Sequence, residues 1–146
     1  MKKVAFLIYY NKSNFFSLNA IVAALETDEI FERIDFYFAR TQENLIKNLE
    51  SIIKNYDKII VGISFFTTQL FETYDLLKLL KTKYGNKCIY IARGSHPTGD
   101  PYGTLKMGFN IVIIGEGEET IIEFIKKYIT NKDYYDVKGI AYLDES

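Results

Sequence analysis

Buried and exposed positions alternate along this chain in blocks rather than residue by residue. Val4 to Tyr9 is an unbroken apolar run that ends in the polar loop Asn11-Lys12-Ser13-Asn14. Ile59 to Ile63, Ile89 to Ala92 and the apolar run before Gly115 have the same character, which predicts strands buried on both faces of a sheet. Ile34 to Phe38 differs, because Asp35 and Tyr37 alternate with Ile34, Phe36 and Phe38. That half-buried pattern predicts a strand near an edge.

Helical spacing fills the intervals. Phe16, Ile21, Ala24 and Leu25 predict a first helix capped by Ser13 or Asn14. Leu45, Leu49, Ile52 and Tyr56, widened by Ile46 and Ile53, predict the clearest amphipathic helix, with Thr41 as its cap. Leu70, Phe71, Tyr74, Leu77, Leu80 and Tyr84 predict a third helix, stopped by Gly85-Asn86. Asp100 and Pro101 read as the cap and first residue of a short helix ending near Gly108. Ile121, Phe124, Ile125 and Tyr128 predict a last helix, with Glu118 and Glu119 at its positive end and Lys126 and Lys127 at its negative end. Val137 to Leu143 reads as one further strand with no partner assigned.

Strands and helices that alternate in this way predict a doubly wound α/β fold, Rossmann-like or flavodoxin-like. The expected sheet has five parallel strands in the order 2-1-3-4-5, with helices on both faces. The 146 residues suit a single domain, 1–146. In such a sheet ligands bind where strands end and helices begin. The candidate site therefore lies where the loops after strands one, three, four and five converge.

Composition narrows the classes. Eighteen Lys and Arg against nineteen Asp and Glu leave a net charge of -1, so no basic excess points to nucleic acid. The N-terminal MKKVAFLIYY has a basic start and an apolar run, but NKSN follows at once with no cleavage site, so it reads as a strand rather than a signal peptide. No stretch approaches the roughly 18 apolar residues of a membrane helix. A single cysteine, Cys88, permits no internal disulfide and fits a reducing, cytoplasmic setting.

Chemistry concentrates between Ile89 and Ile125. His96 is the one histidine, and the two prolines, Pro97 and Pro101, share its turn-rich loop with Gly94, Ser95, Thr98 and Gly99. Useful metal-ligand spacing is lacking around His96, so a role in fixing its loop is preferred to a base or metal role. No catalytic residue and no metal ligand is assigned. Ser64, Thr67 and Thr68 follow the third strand, where hydroxyls serve either as helix caps or as ligand contacts. Arg93 is placed to pair with an anion or with Glu116 of the neighbouring loop. Carboxylates around Gly115-Glu116-Gly117-Glu118 disfavour a phosphate loop, and Glu116, between two glycines, is expected to reach across the cleft or into a partner.

ARGSHPTGDP followed by LKMGFNIVIIGEGEETIIEF resembles the cobalamin-binding-type domain that precedes the catalytic barrel in many radical S-adenosylmethionine enzymes. The resemblance implies cobalamin over the carboxyl ends of the strands, held by Asn11, Ser13, Ser64, Thr67, Arg93, Gly94, Ser95, His96, Gly115, Glu116 and Gly117. It pairs Ser64 with a residue that contacts the nucleotide tail, and Gly94 with the second glycine after the fourth strand. Arg93 stands where the family has the first glycine, in the space that tail needs. The loop Asn11 to Asn14 lacks D-x-H-x-x-G, so no histidine ligand to cobalt is expected. No C-x-x-x-C-x-x-C occurs, so a 4Fe-4S cluster and S-adenosylmethionine belong to a downstream domain, the expected partner, with residues 137–146 starting the connection. The resulting expectation is a cobalamin-binding module serving methyl transfer or related radical chemistry. The alternative is the same fold with a degenerate pocket, acting as a docking module without cofactor. A flavodoxin is disfavoured because Asn11 to Asn14 has no glycine, and a phosphorelay receiver because Tyr9-Tyr10 and Ser64 stand where acids are required.

Overall fold

The computed structural model describes residues 4–10, 19, 22–23, 26–27, 29–115 and 118–144. Its strands are β1 (Val4–Tyr9), β2 (Ile34–Ala39), β3 (Lys58–Ser64), β4 (Cys88–Arg93), β5 (Ile111–Ile113) and β6 (Ile140–Ala141). Its helices are α1 (Gln42–Ile52), α2 (Leu70–Tyr84), α3 (Ser95–Gly99), α4 (Pro101–Lys106) and α5 (Glu118–Ile129). The sheet order is β2-β1-β3-β4-β5-β6. All pairings among the first five strands are parallel. The expected order is thus observed, but with six strands rather than five, because β6 pairs antiparallel to β5. Between β5 and β6 the chain runs through the helix Glu118–Ile129 and residues 130–139, and it re-enters the sheet at Gly139, φ 88°, where Ile114 N donates to Gly139 O at 2.8 Å.

Two cores flank the sheet. Ala5, Leu7, Ile59, Val61, Ile63, Tyr90 and Ala92 pack against Leu45, Leu49 and Ile52 of α1 and Leu76, Leu77 and Leu80 of α2. Phe6, Ile8, Ile60, Ile89, Ile91 and Ile113 pack on the other face against Ile121, Phe124 and Ile125 of α5. Successive side chains of a strand point to opposite faces, so a strand buried on both must be apolar throughout. That requirement explains the continuous runs of β1, β3 and β4.

Local signals hold where their chemistry is local. Thr41 accepts a hydrogen bond from Asn44 N at 3.1 Å and caps α1. Gly85, at φ 54°, ends α2. Asp100 accepts from Gly103 N at 3.0 Å, with Pro101 at the first turn of α4. Asn110 extends the β4–β5 pairing beyond the strand, its Oδ1 accepting from Tyr90 N at 2.8 Å and its own N donating to Tyr90 O at 2.9 Å.

Other expectations are corrected. Phe71 and Tyr74 do not belong to the buried face of α2: Phe71 is 82% exposed, and Thr73 is buried instead. The β2 alternation is broken, with Tyr37 half-buried and Phe38 exposed, because Tyr37 turns toward Tyr56 on the α1 side. Tyr56 itself lies beyond the end of α1 and donates to Asp35 Oδ2 at 2.6 Å. The first helix, with Phe16, Ile21, Ala24 and Leu25 and its cap at Ser13 or Asn14, falls outside the described residues. Asn19, Val22, Ala23 and Glu26 nearby are helical, and Val22 packs on the second core.

Cys88 is buried at the start of β4, and burial pushes its thiol up to about 11, partly offset by Tyr90. Only the thiolate alkylates, so a rise from 9.0 to about 11 leaves roughly a hundredfold less reactive species at pH 8. Iodoacetamide should therefore label the folded chain far more slowly than the chain in denaturant. Equal rates in both states, followed by mass spectrometry, would contradict the buried placement.

Candidate functional site

The carboxyl ends of β3, β4 and β5 converge on one rim, and Ser64, Arg93 and Gly94 stand side by side there. Ser64 and Arg93 are register partners across the β3–β4 ladder. Beyond them, Phe65 N donates to Arg93 O at 3.2 Å, which continues the pairing past both strands. Gly94 adopts φ 115° and ψ -172°, a region that residues other than glycine essentially do not occupy. A Cβ added there would lie 2.8 Å from Phe65 O and 3.2 Å from Ser64 Oγ. Close approach of the backbones alone is enough to require this glycine.

The segment expected to be a loop is a short helix. α3, Ser95–Gly99, places His96 and Pro97 in helical backbone, with Thr98 N bonded to Gly94 O at 3.1 Å. His96 Nδ1 and Thr67 Oγ1 are hydrogen-bonded at 3.0 Å, and the imidazole stacks on Phe65 at a centroid distance of 5.4 Å. Thr67 therefore does not cap the turn that follows β3; Gln69 does, accepting from Phe66 N at 2.9 Å through Oε1. From α3, Thr98 Oγ1 accepts from Gly115 N at 3.1 Å and ties in the end of β5. Sequence reasoning did not single out Thr98 as a bridge, since a threonine in a turn-rich stretch carries no sign of its partner.

Ser64, Thr67, Arg93, Gly94, Ser95, His96 and Gly115 thus share one rim. Asn11, Ser13, Glu116 and Gly117 lie outside the described residues, as does any pairing of Arg93 with Glu116. Gly115 has φ 79°, and among the described residues no atom beyond its own chain neighbours lies within 4 Å of where its Cβ would be. Among the described residues no three of His, Cys, Asp and Glu gather into a metal-sized cluster, and no helix is long and apolar enough to cross a membrane.

Beneath this rim, on the α5 face, lies a narrow slot of about 30 Å³ lined by Phe6, Ile8, Tyr10, Gly62, Ser64, Ile91, Arg93 and Ile121. Gly62 leaves room on β3, but Phe6 occupies it: a Cβ on Gly62 would lie 2.9 Å from Phe6 Cε1. Phe6 is itself buried and stacks on Phe36 at 5.8 Å.

A family model described as the B12 binding domain matches residues 14–125. The chain belongs to the B12-binding domain family. Its fold is similar to the crystal structure of the N-terminal domain of the hypothetical protein TM0182 from Thermotoga maritima, at 32% identity and a TM-score of 0.56, covering 72% of this chain and 81% of that one. No curated protein matches. Membership of the B12-binding family implies cobalamin, and the residues meet that implication only in part. The rim offers the hydroxyls of Ser64 and Thr67 and open backbone at Gly115, whereas the slot beside Ser64 holds a water or two and not a nucleotide base.

Replacing Gly94 by alanine should destabilise the fold by about 1–3 kcal/mol from backbone strain alone. Gly99, where an added Cβ meets nothing within 4 Å, is the control and should tolerate alanine within about 0.5 kcal/mol. Urea unfolding measures both. Equal effects at the two positions would contradict the close contact at Gly94.

Proposed function

We propose that this chain is the B12-binding module of a radical S-adenosylmethionine enzyme, and that it presents a corrinoid at the rim built from the ends of β1, β3, β4 and β5. The observation that carries the corrinoid part of the reading is the family match across residues 14–125, which spans β3, β4 and β5 and the segments that follow them. When bound, a corrinoid supplies a carrier for methyl transfer or related radical chemistry. Catalysis itself belongs to an iron-sulfur domain of the parent protein, because Cys88 stands alone and is buried. In this chain the protein's task is to bind and orient. The Ser64 hydroxyl and the backbone at Gly94 and Gly115 are the contact points, and the Thr67–His96 pair holds α3 in place.

A second reading, a docking module without cofactor, is favoured by the filled slot and by an aromatic surface next to the rim. Phe71, Tyr74 and Tyr102 are exposed, and Phe71 and Tyr74 border an open groove with His96 and Met107. Lys78 and Lys106 lie over the rings of Tyr74 and Tyr102 at 4.9 and 5.5 Å. A catalytic domain that reached the rim from this side would cover the patch.

Two measurements divide the readings. Purified protein titrated with hydroxocobalamin should show a changed visible spectrum and carry corrinoid through gel filtration. No retained corrinoid would remove the cofactor reading and leave the docking one. Separately, a C-x-x-x-C-x-x-C motif in the same polypeptide within about a hundred residues, one domain's reach, is the expected sign of the catalytic partner. A parent coding sequence without such a motif would remove that partner from both readings.

A further inference from the structure

The site and the family disagree at the slot beside Ser64. The resemblance implies a nucleotide tail in contact with Ser64 and a glycine pair after the fourth strand, and this slot is the space next to both. Here Arg93 replaces the first of those glycines. It lines the slot together with Phe6, Tyr10, Gly62 and Ser64, leaving about 30 Å³. The second obstruction is independent of the first. Phe6, on β1, fills the hollow over Gly62 so closely that not even a methyl group fits between them. A base the size of benzimidazole has no place until both side chains move, and Phe6 is locked by burial and by its stack on Phe36.

We infer that Arg93 and Phe6 act as a built-in plug for the nucleotide slot, so that this domain recognises a corrinoid by its ring and not by its tail. The ligand class it fits is a corrinoid whose nucleotide is absent or stays outside the sheet. This rests on the proposed corrinoid role for the identity of the ligand, while the plug itself rests on geometry.

The test compares two probes, cyanocobalamin and dicyanocobinamide, which shares the corrin ring but has no nucleotide. Binding is followed by visible spectra and by retention on gel filtration, in the natural chain and in the double variant Arg93→Gly/Phe6→Ala, which removes both obstructions. Arg93→Ala/Phe6→Leu is run alongside in case the first pair loosens the strand end or the core, and circular dichroism checks that each variant folds. The natural chain should bind the two probes within about threefold of each other. Opening the slot should raise cobalamin affinity at least tenfold over cobinamide. A natural chain that already prefers cobalamin tenfold or more overturns the plug, and so does a folded variant with no gain. If the natural chain retains neither probe, the corrinoid reading fails. The plug is then judged on the variants alone, supported by newly acquired cobalamin binding and overturned by its absence.

Discussion

The close approach of Gly94 to the backbone at Phe65 sets the geometry of the rim. Parallel strands end in register only as long as their ladder continues, and the bond from Phe65 N to Arg93 O carries the β3–β4 ladder one step beyond the strands. Only a residue without a side chain can follow at that distance. From this junction the contacts run outward. Phe65 stacks on both His96 and Phe109, His96 is bonded to Thr67, and Thr98 two residues on accepts from Gly115 N. Three strand ends are therefore joined by side chains of one five-residue helix, which places Ser64, Arg93 and Gly115 on a common edge.

The same strands explain why the slot is narrow. Their α5 face is packed by Phe6, Ile8, Ile91 and Ile121, and a ligand that entered between sheet and helix would compete with that packing. Interiors are filled close to crystal density, so room for a base must be provided by small residues at the right places. Gly62 is such a residue, but its room is used by Phe6. The chain thus retains the fold of the B12-binding family and the open backbone at Gly115, and fills the interior space behind them.

Much of this architecture was legible in the sequence because it rests on local or repetitive signals. Strands buried on both faces must be apolar throughout, and the caps at Thr41 and Asp100 act over three residues. What escaped depends on distant partners. α3 is too short to show periodicity and contains Pro97 and Gly99, so it reads as a turn until Thr67 and Phe65 are seen to hold it. A strand within Val137 to Leu143 is legible, but β6 spans only two of those residues and its partner is not, because the pairing depends on Gly139 and β5 rather than on any pattern of its own. Phe71 and Tyr74 are large side chains at helical spacing and so match a core pattern, yet Thr73 takes the inward place. At the site, Arg93 was recognisable as a departure from the family's glycine. The part played by Phe6 was not, since nothing in a β1 sequence shows what lies across the sheet at Gly62.

The most direct test of the plugged slot is a crystal structure of the chain grown with excess cobalamin. The account predicts Phe6 over Gly62, Arg93 beside Ser64, and the nucleotide outside the sheet. A nucleotide base seated between the sheet and α5, with Arg93 displaced from the slot, would contradict it.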